Sequence, residues 1–184
     1  MVTKTADQKK TCKNSKGAGE GTAGAYRIIP HTADTGLSIE APSLEGLFFQ
    51  AALGLFQLLT GVSCRRLHFA GSSVVTIAAP DLEGLFVDWL NELIYLLETE
   101  HQYTIASSLS VEVAAPHRGQ ADEKANGKIE ARNDRGVRLR AETRSRPVSG
   151  GPAVTSEIKA ATYHNLKIEE DTDGIWRATV ILDL

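Results

Sequence analysis

Two short stretches hold the residues best able to do chemistry. Residues 30 to 36 read PHTADTG and set His31 and Asp34 between an apolar run, Tyr26 to Ile29 interrupted by Arg27, and an alternating one, Leu37 to Glu40. At the far end WRATVILDL alternates like a strand through Trp176, Ala178, Val180 and Leu182, and runs to the last residue. The α-carboxylate of Leu184 therefore stands one residue from the Asp183 side chain, at the end of an element expected to be ordered. Carboxylates that close repel, unless a cation lies between them or the end is simply solvated. If Asp34 comes from a neighbouring strand end, three carboxylates converge, and hard oxygen donors of that kind suit Ca²⁺, Mg²⁺ or Mn²⁺ rather than zinc. Spacing leaves open whether they meet. Asp34 ahead of Thr35 and Gly36 would serve equally as a turn residue.

The elements that must position these groups are legible from periodicity. Leu44, Leu47, Phe48, Ala51, Leu55, Leu58 and Leu59 recur at helical spacing, which predicts an amphipathic helix over 44–60 with Ser43 as N-cap, Glu45 at its positive end and Gly61 as its stop. Leu82, Leu85, Phe86, Trp89, Leu93, Leu96 and Leu97 predict a second helix capped by Asp81. APSLEGLF at 41–48 and APDLEGLF at 79–86 match at all but one position, and each follows an alternating segment, GLSIE or SVVTIAA. Two strand-helix units built to one plan by internal duplication are expected. Further strands are predicted at 103–114, 128–132, 136–142 and in EIKAATYHNLKIEE, with a turn over Asp171 to Gly174. Two long helices on a mostly antiparallel sheet make the fold class α+β.

The totals bound the function. At 184 residues, with 42% hydrophobic and 23% charged, the chain fits one soluble core, read as a single domain over 26–184 behind a disordered polar tail over 1–25. A formal charge of -3 gives no global attraction to nucleic acid or an anionic membrane. Cys12 and Cys64 form neither a disulfide framework nor a CxxC pair, so a reducing compartment fits best. With no signal peptide and no apolar run long enough to span a bilayer, a cytoplasmic location is expected. No GxSxG, P-loop, GxGxxG or HExxH is present, which weighs against an autonomous enzyme.

PHTADTGLSIEAPSLEGLFFQAALGLF, IKAATYHNLKI and WRATVILDL, in that order, resemble the archease family, whose members carry a His-Thr-Ala-Asp start, a Lys-Ala-x-Thr-Tyr-His stretch and an end in Asp plus one aliphatic residue. The likeness spans Tyr26 to Leu184, with no family pattern over 115–156. It implies a duplicated strand-helix-strand-strand fold. It also implies a chaperone-like activator of an RtcB-type RNA-splicing ligase in tRNA splicing or RNA repair, one that promotes ligase guanylylation and repeated turnover without being the ligase. The family's metal site falls here on Asp34, Asp183 and Leu184, with Ca²⁺ the expected ion, and RNA would be met only indirectly, through the ligase.

Plainer readings stand beside these. His31 and His164 would more often be packed, hydrogen-bonded imidazoles than ligands. Lys159 and Tyr163 would form a cross-strand polar pair on a solvent face, with a ligase interface as the sharper option. Gly46 and Gly84 would allow close backbone packing, Trp89 and Trp176 would be core, and the five lysines of the tail would be a solubilising arm. Two rival functions remain open: a metal-dependent phosphoester hydrolase with Asp34 on the metal and His31 as base, and an RNA-binding module using the basic segment Arg132 to Arg146.

Overall fold

In the computed structural model the described residues are 12–13, 23–30, 35–64, 67–113 and 136–184. Their elements in chain order are β1 (Cys12–Lys13), β2 (Ala25–Pro30), β3 (Thr35–Ala41), α1 (Leu44–Thr60), β4 (Gly71–Ala79), α2 (Leu82–Thr99), β5 (Gln102–Val113), β6 (Val137–Pro147), β7 (Ala160–Glu170) and β8 (Trp176–Asp183). The expected strand at 128–132 lies outside the described residues. β6 runs five residues beyond the predicted 142, into a stretch whose Pro147 and Gly150 signalled a loop.

Two antiparallel sheets form, ordered β1-β2-β3-β8-β7 and β4-β6-β5. Their connectivity gives the eight-letter repeat its structural meaning. In β4-α2-β5-β6 the last strand lies between the first and third, and in β3-α1-β7-β8 it does so again. The two units share one topology, but they are nested rather than consecutive: β4 to β6 sit between α1 and β7 in sequence.

Each helix starts as its sequence dictates. Ser43 Oγ accepts from Gly46 N–H at 3.1 Å and Asp81 Oδ1 from Gly84 N–H at 2.7 Å, caps worth about 1 kcal/mol each. α1 stops at Gly61, held in the left-handed region at φ 70°. The glutamates after the caps do more than favour the macrodipole. Glu45 of α1 accepts from Val111 N–H on β5, and Glu83 of α2 from Ile168 N–H on β7, both at 3.4 Å. Each helix thus ties down an edge strand of the other unit.

The core is one cluster shared by both units. At its centre Trp89 of α2, fully buried, donates its indole N–H to Phe48 O of α1 at 3.1 Å, while Phe48 and Phe86 meet edge to face at 5.0 Å. Trp176 packs against the cluster from its margin, and no helix among the described residues is long and apolar enough to cross a membrane.

Candidate metal centre at the chain end

β8 alternates inward Ala178, Val180 and Leu182 with outward Arg177, Thr179 and Asp183. Leu182 is fully buried and anchors the last turn of the pleat, so Asp183 and the terminal Leu184 are presented at the surface, Leu184 being 43% exposed. β8 lies between β3 and β7: Leu182 is opposite Thr35, and Asp183 is opposite Ala160. Asp34 and His31 lie outside the described residues. Their flanking residues do not: Pro30 and Thr35 are directly paired across β2 and β3, and residues 31–34 link them.

Lys159 closes the other side of the terminus. Its N–H donates to Asp183 O at 2.9 Å and its Nζ donates to Leu184 O at 2.7 Å. Lys159 is therefore not the cross-strand partner of Tyr163; its ammonium group neutralises part of the terminal charge. A carboxylate offers about four lone-pair positions, so one lysine contact leaves the terminal group able to accept from a second cation. The donors present, the Asp183 carboxylate and the terminal carboxylate, are hard oxygens and fit a hard divalent ion. Among the described residues alone, no group of three His, Cys, Asp or Glu side chains is arranged to hold a metal; a site here requires Asp34 and the main-chain terminus.

Beyond Thr162, β7 departs from regular pairing. Thr162 is opposite Ile181 and Lys167 is opposite Thr179, so residues 163–166 face Val180 alone, with Asn165 in the left-handed region at φ 55°. Such bulges re-aim side chains, and this one puts Tyr163 and His164 in solvent. His164 is not packed as its apolar surroundings in sequence implied. Its Nε2 meets Asn165 Nδ2 at 2.9 Å on an exposed surface, because the bulge lifts it off the sheet. Partial desolvation of the phenol, and then the carboxylates of Asp88 and Asp81 on α2, raise the Tyr163 pKa, so the hydroxyl stays protonated at neutral pH.

Just ahead of the bulge β7 is tied to α2 by Asn91, a residue sequence reasoning passed over. Its Oδ1 accepts from Ala161 N–H at 2.7 Å and its Nδ2 donates to Ala161 O at 3.3 Å, so one side chain satisfies both backbone groups on the free side of β7. A lone amide within the apolar run WLNELIYLL was the only signal available.

The chain as a whole is similar to known proteins. The model of the archease protein family matches residues 26–184. The protein archease of Methanosarcina mazei is 30% identical over 159 residues, covering 86% of this chain and 95% of that one. The protein archease of Archaeoglobus fulgidus is 33% identical over 159 residues, covering 86% and 98%. The solution structure of protein 1598 of Methanobacterium thermoautotrophicum superposes with a TM-score of 0.65 at 27% identity, over 86% of this chain and 98% of that one.

Proposed function

The chain belongs to the archease family, and from that premise we propose that it is an accessory protein that activates an RtcB-type RNA-splicing ligase by promoting its guanylylation, using a divalent ion held by Asp34, Asp183 and the Leu184 carboxylate. The observation that carries the reading is the pairing of Thr35 with Leu182. It brings the residue after Asp34 opposite the residue before Asp183, in the sheet where the chain ends. Asp183 and Leu184 would supply the ligands from β8, and Asp34 from the start of β3. Lys159 holds the terminus in place through its Leu184 O contact and limits the negative charge an ion would have to balance.

When bound, the ion would supply positive charge for phosphate oxygens at the ligase nucleotide site. The chain's own part is to present it at a surface: Asp183 is exposed, and the adjacent bulge offers Tyr163 and His164 for contact with the ligase. Nothing in this role requires the chain to make or break a covalent bond, and it acts as a helper of the enzyme.

The experiment is a guanylylation assay of the ligase with GTP, with and without this protein. Faster labelling and repeated turnover with the parent chain, both lost with Asp183→Ala at unchanged thermal stability, is the expected result. Equal labelling with Asp183→Ala would remove the metal site from the function, and equal labelling without the protein would remove the activator role.

A further inference from the structure

The two nested units turn the same kind of surface outward, the helix-free face of a sheet, yet they decorate it differently. On the five-stranded sheet three outward cations among the described residues have carboxylate partners: Arg27 with Glu40 at 3.8 Å, Lys167 with Glu169, and Arg177 with Asp171 at 2.9 Å. On the three-stranded sheet, β6 buries Val137, Leu139, Ala141 and Thr143 and turns Arg138, Arg140, Glu142 and Arg144 out. Arg138 and Arg144 have no ion-pair partner among the described residues. Arg140 and Glu142 pair at 3.7 Å, and Glu142 also accepts from Ser108 Oγ at 3.0 Å, so this carboxylate is already engaged. Glu112 is opposite Arg138 in register but makes no ion pair with it.

Arg138 and Arg144, in line on a central strand with the Glu142-paired Arg140 between them, are not needed for the fold, whose core lies on the other side of the sheet. Their surroundings are flat: the β4 neighbours across from them are Ser72, Thr76 and Ala78, all small and exposed. Residues two apart on a strand lie ~6.7 Å from each other, so Arg138 and Arg140 are spaced on the scale of successive phosphates in an extended nucleic-acid strand, and Arg144 follows two such steps beyond Arg140, past Glu142. The guanidinium group is the side chain best matched to phosphate oxygens, and neighbouring hydroxyls can add donors.

We infer that the open face of β4-β6-β5 binds the phosphate backbone of single-stranded RNA, through Arg138, Arg140 and Arg144. No aromatic side chain on that face is available to stack a base among these residues, so the contact is with backbone and is indifferent to sequence. An acidic peptide is the less suitable occupant, since the small side chains beside the arginines offer few contacts to recognise its side chains. The inference goes beyond the ligase-activator reading: RNA would touch this chain directly, on a surface formed by the other unit from the one that carries Asp183.

The test is equilibrium binding of fluorescent 15-nucleotide poly(U) and poly(A) RNA to the full chain over a salt series, with no ligase present, so that failure here leaves the activator reading untouched. Three phosphate contacts predict a slope of log K against log salt of roughly -2, and similar affinities for the two homopolymers. Arg138→Gln with Arg144→Gln should bring the slope to roughly -0.7 and weaken binding about 50-fold at 50 mM salt. Arg27→Gln with Lys167→Gln, on the other sheet, should change neither. Absence of binding at 50 mM salt, equal loss in the two double variants, or tighter binding of a polyglutamate peptide than of RNA would each overturn the inference. Because all four residues are exposed, circular dichroism of the variants should match the parent, and a misfolded variant would be replaced by the corresponding single substitutions.

Discussion

Replacing Asn91 by Leu tests whether α2 holds the free edge of β7 through one amide. The parent side chain satisfies both the N–H and the C=O of Ala161, at 2.7 and 3.3 Å, and Ala161 is buried. Leucine fills similar space but can satisfy neither, and a buried backbone group left without a partner costs about 1 to 3 kcal/mol. Two such groups, partly relieved by relaxation at the sheet edge, give an expected loss of about 2 to 4 kcal/mol. For a chain of this size that corresponds to a fall in Tm of roughly 8 °C. The assay is urea unfolding followed by circular dichroism, with the slope m unchanged, together with hydrogen exchange at the Ala161 amide. Glu92→Leu, one position along the same helix, is the control and should stay within about 0.5 kcal/mol of the parent. The reasoning fails if Asn91→Leu is as stable as that control and the Ala161 amide remains equally protected. The consequence reaches the candidate site, since Ala160, the residue before Ala161, is the strand partner of Asp183.

Three further outcomes follow from the same structure. A Cβ on Gly46 would lie 2.6 Å from the Ala23 carbonyl oxygen, whereas one on Gly84 would meet no backbone so closely: the Asp81 carboxylate at 3.0 Å, then Ala79 Cβ at 3.4 Å and Pro80 Cδ at 3.7 Å. Thermal melts should therefore find Gly46→Ala destabilised by about 1 to 3 kcal/mol and Gly84→Ala within about 1 kcal/mol of the parent, although the glycines occupy the same place in the repeat. Glu45→Ala and Glu83→Ala each free one edge-strand N–H and remove a first-turn charge; chemical denaturation should show a loss of about 1 kcal/mol for each and an additive loss for the pair, because they share no partner. Asp171 accepts from the N–H groups of Ile175 and Asp173 and faces Arg177; chiefly through the Ile175 bond, its pKa is lowered. A lowered carboxylate pKa stabilises the fold above its unfolded value of about 3.9, and that contribution disappears as pH falls through the folded value. The stability gap between the parent and Asp171→Asn should be constant above pH ~5 and should close in acid.

The helices were legible to the residue at their starts because caps and apolar periodicity act locally: Ser43, Asp81 and Gly61 each do in the structure what their side chains or conformational freedom allow in a peptide. The turn at Asp171 to Gly174 and the closing strand were legible for the same reason. Nesting was not. The letters APxLEGLF mark two equivalent helix starts, but nothing local says that β7 and β8, far along the chain beyond the whole other unit, complete the unit begun by β3. The reach of Glu45 and Glu83 to strands of the opposite unit is hidden for that reason, and they read only as dipole partners. At the candidate site, alternation through Leu182 located Asp183 and Leu184 at a strand end, and the structure adds Lys159 on the terminal oxygen. The bulge that exposes His164 depends on a register shift against β8, which no pattern of residue types encodes.

The most direct test of the account is calorimetric titration of the full chain with Ca²⁺ and Mn²⁺, set beside Asp34→Asn, Asp183→Asn and a chain extended by one glycine after Leu184. One ion should bind per chain, with each of the three changes weakening binding at least tenfold. An ion bound equally well by all four proteins would contradict a centre built from Asp34, Asp183 and the terminus.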